Sequence, residues 1–226
     1  MHIVLFECAS IQRHVFGSNM LRENVGGAQQ VDRSFPEILR REMNELFNNS
    51  ARTEWDPGSP LEIESNASIR AEILFDGGGN AAIVVREIED AKELIKKVSL
   101  SIEAEVPGLL LNVGFAEYGS DQTFQDAIKE AFENASRNKH RGVSRKGLVS
   151  LGVTRECATT AGEPASKYVE DGDSGRVWLS RAAATKREEA EKSTKQKEEE
   201  YLSFFIDQEN TRRAYEDWAL PLELDN

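Results

Sequence analysis

Cysteine, positive charge and long apolar runs are all scarce in this chain. Its 226 residues include two cysteines, Cys8 and Cys157, which lie far apart and form no Cys-x-x-Cys pair. That excludes a disulfide framework and a structural zinc site, and it matches cysteine usage in a reducing cytoplasm. No stretch approaches the roughly 18 apolar residues of a membrane span. The opening MHIVLFECASIQ has no basic segment ahead of its short apolar run, so it reads as a buried strand and not as a signal peptide. Lys and Arg number 28 against 40 Asp and Glu, a net charge of −12. Such a surface repels nucleic acid as a whole, so phosphate binding has to be local. His14 and His140 have no second ligand at metal spacing and read as ordinary core or surface histidines. These absences lead us to expect a soluble cytoplasmic protein with no membrane partner.

The 39% hydrophobic content supports one sizeable core with room for an appendage. His2 to Cys8 is β-branched and apolar, a buried strand. Helical spacing follows from Ser10 through Val15, Phe16, Met20, Leu21 and Val25. Gly26-Gly27 is expected to break it, with a second helix through Phe35, Ile38, Leu39, Met43, Leu46 and Phe47. Residues 48–66, rich in Asn, Ser, Pro and Gly, read as a loop. Ile69–Phe75 and Ala81–Arg86 are two strands joined by Asp76-Gly77-Gly78-Gly79-Asn80, a hairpin signature. Glu87–Ser101 is an amphipathic helix, Leu109–Tyr118 a strand and Asp121–Arg137 a further helix. The order β, α, β-hairpin, α, β, α predicts an α+β, ferredoxin-like domain over residues 1–140.

Residues 141–226 are expected to form a C-terminal extension, short strands and loops followed by helices. A basic island, RNKHRGVSRK, marks the junction. Residues 181–201 form an Ala/Lys/Glu helix with almost no apolar face, docked at most along its alanines. The aromatics of the last segment suggest that it folds back onto the domain or onto a partner.

Ferredoxin-like topology alone assigns no function. The motifs say more. The segment Ile11-Gln12, Val15-Phe16, Ser18-Asn19, Leu21-Arg22-Glu23 and Gly26-Gly27-Ala28 resembles the opening of the palm domains in the large polymerase-cyclase subunit of type III CRISPR effectors. The hairpin turn Gly77-Gly78-Gly79-Asn80 is similar to a degenerate form of that family's Gly-Gly-Asp-Asp turn. A weaker likeness lies in Cys157–Ala165, CATTAGEPA, although the zinc cysteines often found there are missing.

The resemblance implies a GGDEF/cyclase-like palm with a C-terminal helical appendage. Such palms hold two metal ions on carboxylates from the first strand and the hairpin tip. Here Glu7 occupies the first-strand position, while Gly79 and Asn80 replace the tip aspartates, a loss that should nearly abolish Mg²⁺ affinity. Asp76 is a weak second catalytic candidate, on the wrong side of the glycine pair. The implied nucleotide-binding set is Ser18, Asn19, Gly26, Gly27, Gly77, Gly78, Gly79, Asn80, Arg137, Lys139 and Arg141. Each has a bland counterpart: Ser18 and Asn19 as a helix cap, the glycines as a bulged turn, the cations as a solvated loop.

Three readings follow. In the first, the protein is a nucleotide-binding palm without its own metal carboxylates, one half of a palm–palm assembly in a CRISPR-type or related antiviral system. In the second, it is a homodimeric nucleotidyl cyclase that makes a cyclic oligonucleotide from ATP with Mg²⁺ or Mn²⁺, using Glu7, Asp76 and one metal ion. In the third, it is a non-catalytic scaffold that docks other effector-complex subunits.

Overall fold

The strand that the apolar run His2–Cys8 predicts lies inside a sheet, paired on both sides. A computed structural model of the chain describes residues 1–54, 58–119, 122–140, 154–171 and 175–205, the side chains of 140 and 198–205 aside. Its elements run β1 (His2–Ala9), α1 (Ile11–Phe16), α2 (Leu21–Arg33), a π-helical segment Ser34–Leu39, α3 (Arg40–Phe47), β2 (Ala51–Arg52), α4 (Glu62–Ser65), β3 (Ala71–Gly77), β4 (Asn80–Val85), α5 (Ile88–Glu105), β5 (Leu110–Glu117), α6 (Phe124–His140), β6 (Lys167–Asp171), β7 (Gly175–Leu179) and α7 (Arg181–Phe205). The chain divides into two compact units. One is Met1–His14 with Val31–Lys146, the other Val15–Gln30 with Gly147–Asn226. Residues 15–30 thus group with the C-terminal part.

In the first unit the sheet order is β2-β3-β4-β1-β5. β1 pairs antiparallel with both β4 and β5, β3 pairs antiparallel with β4, and the two-residue β2 lies parallel to β3. The fold class is mixed α+β. Ile3, Val4, Leu5 and Phe6 are all essentially inaccessible, which requires cover on both sides of the sheet. On one face Phe6 meets Phe35, ring centroids 6.2 Å apart, and α5 buries Ala91, Leu94, Val98 and Ile102 at helical spacing. On the other, Ile3 and Leu5 join Ala127, Ala131 and Ala135 of α6 in one cluster. Small residues on that helix let its backbone approach the sheet closely. The Ser34–Leu39 segment is wound as a π-helix around Pro36, whose missing N–H cannot complete an α-helical ladder.

In the second unit α2 continues through Gly26-Gly27, where the sequence suggests a break. The reason is tertiary. A Cβ on Gly26 would lie 1.7 Å from the Lys186 carbonyl oxygen of α7, so the glycine marks a close helix contact. The alanines of α7 dock as expected: Ala183 and Ala184 pack with Leu179 and Cys157. Ser180 caps the helix through its hydroxyl, which accepts the Ala183 N–H at 3.1 Å. The aromatic-rich end beyond 205 lies outside the described residues.

A buried ion pair crosses the same contact. Arg187 Nε lies 2.9 Å from Glu23 Oε1, with both side chains almost fully buried, and Arg187 also reaches Asp171 at 2.9 Å. Removing one member of a buried pair typically costs about 3–5 kcal/mol, whereas replacing the pair by apolar residues is often neutral. Glu23→Ala is therefore expected to lower stability by about that amount in urea unfolding followed by circular dichroism. Glu23→Leu combined with Arg187→Met should recover most of the loss.

Candidate functional site

Glu7 sits near the end of β1, and strand register fixes its neighbours. It pairs with Asn80 on β4 and with Asn112 on β5, while Asn80 in turn pairs with Gly77 on β3. Cross-strand partners share a face of the sheet, so these four positions form one row beside the hairpin tip. Lys139, in the last turn of α6, brings its Nζ to 3.0 Å from Glu7 Oε1. Asn112 Nδ2 donates to Glu7 Oε2 at 3.0 Å and to the Ala135 carbonyl at 2.7 Å. Burial acts to raise the Glu7 pKa, but the hydrogen bonds from Asn112 and Lys139 and the lysine charge outweigh it. The carboxyl is held below its ordinary value.

These residues do not suit the divalent ions that the palm resemblance implies. Hard divalent cations need several oxygen ligands, most of them anionic. The row offers one carboxylate, already facing an ammonium and an amide N–H₂, beside the neutral side chain of Asn80. Among the described residues, no group of three or more His, Cys, Asp or Glu side chains is placed to hold a metal ion.

Asp76 lies on the opposite face. It pairs with Ala81, whose other neighbour is Phe6, one residue out of step with the Glu7 row. Its buried carboxylate takes both Nε (2.6 Å) and Nη2 (3.0 Å) of Arg40. A bidentate pair of this kind is a fixture of the fold, and Asp76 and Glu7 cannot grip one ion between them.

The hairpin loop is Gly78-Gly79, with φ of +58° and +81°. Positive φ at both central positions is what a type I′ turn requires. Gly79 is buried, its carbonyl accepts the Cys8 N–H at 2.7 Å, and a Cβ there would press on Ile11 at 2.6 Å. Gly77 and Gly78 are exposed with open space before them. Turn geometry thus accounts for Gly78 and Gly79. The exposed Gly77–Gly78 backbone is the part that a ligand or a neighbouring chain can reach.

The remaining members of the implied set fall as follows. Ser18 accepts the Met20 N–H at 3.1 Å, a local turn just ahead of α2 and not a cap on a helix amide, and Asn19 is exposed beside it. Gly26 and Gly27 are buried within α2, the first against α7. These four belong to the second unit, and Glu7, the hairpin, Arg137 and Lys139 to the first. Arg137 is exposed and pairs along its helix with Glu133 at 3.5 Å. Arg141 lies outside the described residues. The Cys8 thiol, pushed up to about 12 by burial and by the Glu7 charge, is inert.

Asn112 is the residue that the sequence reading passes over. Its cue is a single amide inside the apolar run Leu109–Ala116. The reading also passes over a cavity of about 510 Å³ in the first unit, bordered by Glu64, Glu72, Phe75, Tyr118, Phe124 and Ile128. Its carboxylates are committed to the fold. Glu72 accepts the N–H groups of Glu62 (3.2 Å) and Ile63 (2.8 Å), and Glu64 accepts the Tyr118 hydroxyl. Residues 48–66 look like plain loop in sequence, so nothing there announces this wall.

No protein-family model matches the chain, and no curated protein matches its sequence. The functional reading therefore rests on these residues and their placement.

Proposed function

We propose that the first unit is a ferredoxin-like palm that binds a nucleotide and lacks its own metal carboxylates, working as one half of a palm–palm assembly in a CRISPR-type or related antiviral system. The observation that carries this reading is the register of Glu7 against Asn80. A first-strand carboxylate stands directly across from a glycine-hairpin residue, the layout of a palm site with its tip aspartates replaced. The antiparallel order β3-β4-β1-β5, with the first and last of these strands at the edges of that four-strand set, agrees with a ferredoxin-like topology. The cyclase reading needs Glu7 and Asp76 to share a metal ion, and their opposite faces speak against it.

The test is calorimetric titration of ATP and other nucleoside triphosphates into the full chain, beside light scattering for its oligomeric state. Saturable binding or a dimer is the expected result. Gly78→Val places a β-branched residue at φ +58°, a strain of about 1–3 kcal/mol that the turn relieves by changing shape. Binding or dimerisation should then be lost while the circular dichroism spectrum is kept. A variant that binds and assembles like the parent would reduce the hairpin to a turn and leave the scaffold reading.

A further inference from the structure

We propose that Lys139 is the resident cation of the Glu7 corner, so that a phosphate-bearing ligand is held there without a divalent metal ion. This rests on the nucleotide-binding reading and adds what takes the metal's place. Both oxygens of Glu7 already face donors, Oε1 the Lys139 ammonium and Oε2 the Asn112 amide, each at 3.0 Å. Asn112 cannot turn its oxygen outward to serve a metal. Its N–H₂ lies between two acceptors, Glu7 Oε2 and the Ala135 carbonyl, and the residue is only 8% exposed. Reversing the amide would set oxygen against oxygen on both sides. A divalent ion entering here would have to displace a bound ammonium and then find a single anionic ligand.

The same arrangement leaves charge available to an anion. Among the described residues the Lys139 ammonium meets one acceptor, Glu7, out of the three that it can serve. The side chain is 47% exposed. Arg137, two residues earlier, is engaged within its own helix by Glu133 and Asn134 and does not share a helix face with Lys139, so the lysine is the cation that the corner offers. Glu7 is then a counter-ion that the ligand has to outcompete. It holds the ammonium at the hairpin end of β1, and its negative charge competes with the ligand for that ammonium.

Metal-anchored and lysine-anchored sites respond to the same substitution in opposite directions. ATP is titrated calorimetrically into the full-length protein, once with EDTA and once with excess Mg²⁺. Binding should be equal within about two-fold between the two buffers. Glu7→Gln keeps the shape and frees the lysine, so affinity should rise by about five-fold in both buffers, the scale of one exposed ion pair. Lys139→Met should weaken binding by about ten-fold in both. Mg²⁺-dependent binding, or binding abolished by Glu7→Gln, would overturn this inference and leave the nucleotide reading standing. No ATP binding in either buffer, by protein with native circular dichroism, would overturn both. A second readout is independent of nucleotide: Mn²⁺ titrated alone and followed by paramagnetic resonance should show no site that depends on Glu7, and finding one would overturn the inference.

Discussion

Gly26→Ala should unseat α7 from α2 and lower the stability of the second unit by about 3 kcal/mol or more. In an isolated helix the change would be favourable, since alanine gains up to about 1 kcal/mol over glycine through backbone entropy. The tertiary contact reverses that sign. The new methyl carbon would lie 1.7 Å from the Lys186 carbonyl oxygen and 2.6 Å from its carbon, and both are backbone atoms that no rotamer change can move. The helices must part, and the Glu23–Arg187 pair, buried at the same contact, opens to water. Hydrogen–deuterium exchange of residues 181–197 reads this directly. Protection should collapse there in the variant, with little change at Ile3–Phe6 of β1. A variant as stable as the parent, with α7 still protected, would show that the two helices do not meet at Gly26.

That glycine shows where the sequence was legible and where it was not. Composition and period identify β1, the hairpin strands and α5, because each signal lies within a few neighbouring residues and burial acts on each element as a whole. Gly26-Gly27 carries two opposite meanings: an interruption by local propensity, or a close approach when another backbone arrives. The partner, Lys186, lies far along the chain, and propensity cannot see it. The candidate corner divides in the same way. The strand and turn signals place Glu7 and Asn80, and the palm resemblance is what singles them out. Lys139 stands in sequence as one cation of a basic island, implicated by the palm resemblance but with no sign of its partner, and Asn112 as one amide in an apolar strand. Their meeting on Glu7 depends on α6 crossing β5 and β1 in a particular register. The opposite placement of Asp76 was legible, since strand alternation follows from counting residues. Its bidentate Arg40 partner, on a helix of the first crossover, was not.

Gly114→Ala is expected to disturb the corner from a distance and to separate the fold from the site. Gly114 lies on β5 beneath α6, where a Cβ would stand 2.0 Å from the Ala131 carbonyl oxygen and 2.9 Å from the Ala135 methyl. The alanine stripe of α6 leaves no slack, because nothing on it can shorten further. The helix has to rise off the sheet, at a cost of about 3 kcal/mol or more. Lys139 lies one turn beyond Ala135, and Ala135 also supplies the carbonyl that orients Asn112. A rise of α6 therefore removes both donors from Glu7 together. Nucleotide affinity should fall by about ten-fold or more, while exchange protection at the centre of β1 and β4 persists, since those strands pair with each other independently of α6. Gly119→Ala is the control: a Cβ there meets nothing within 4 Å, and its stability should stay within about 0.5 kcal/mol of the parent. If Gly114→Ala unfolds the sheet as well, the combination of Gly114→Ala with Ala135→Gly, which removes one of the two crowded contacts, should restore part of the protection in β1. Should Gly114→Ala instead bind nucleotide like the parent, Lys139 is not what holds the ligand.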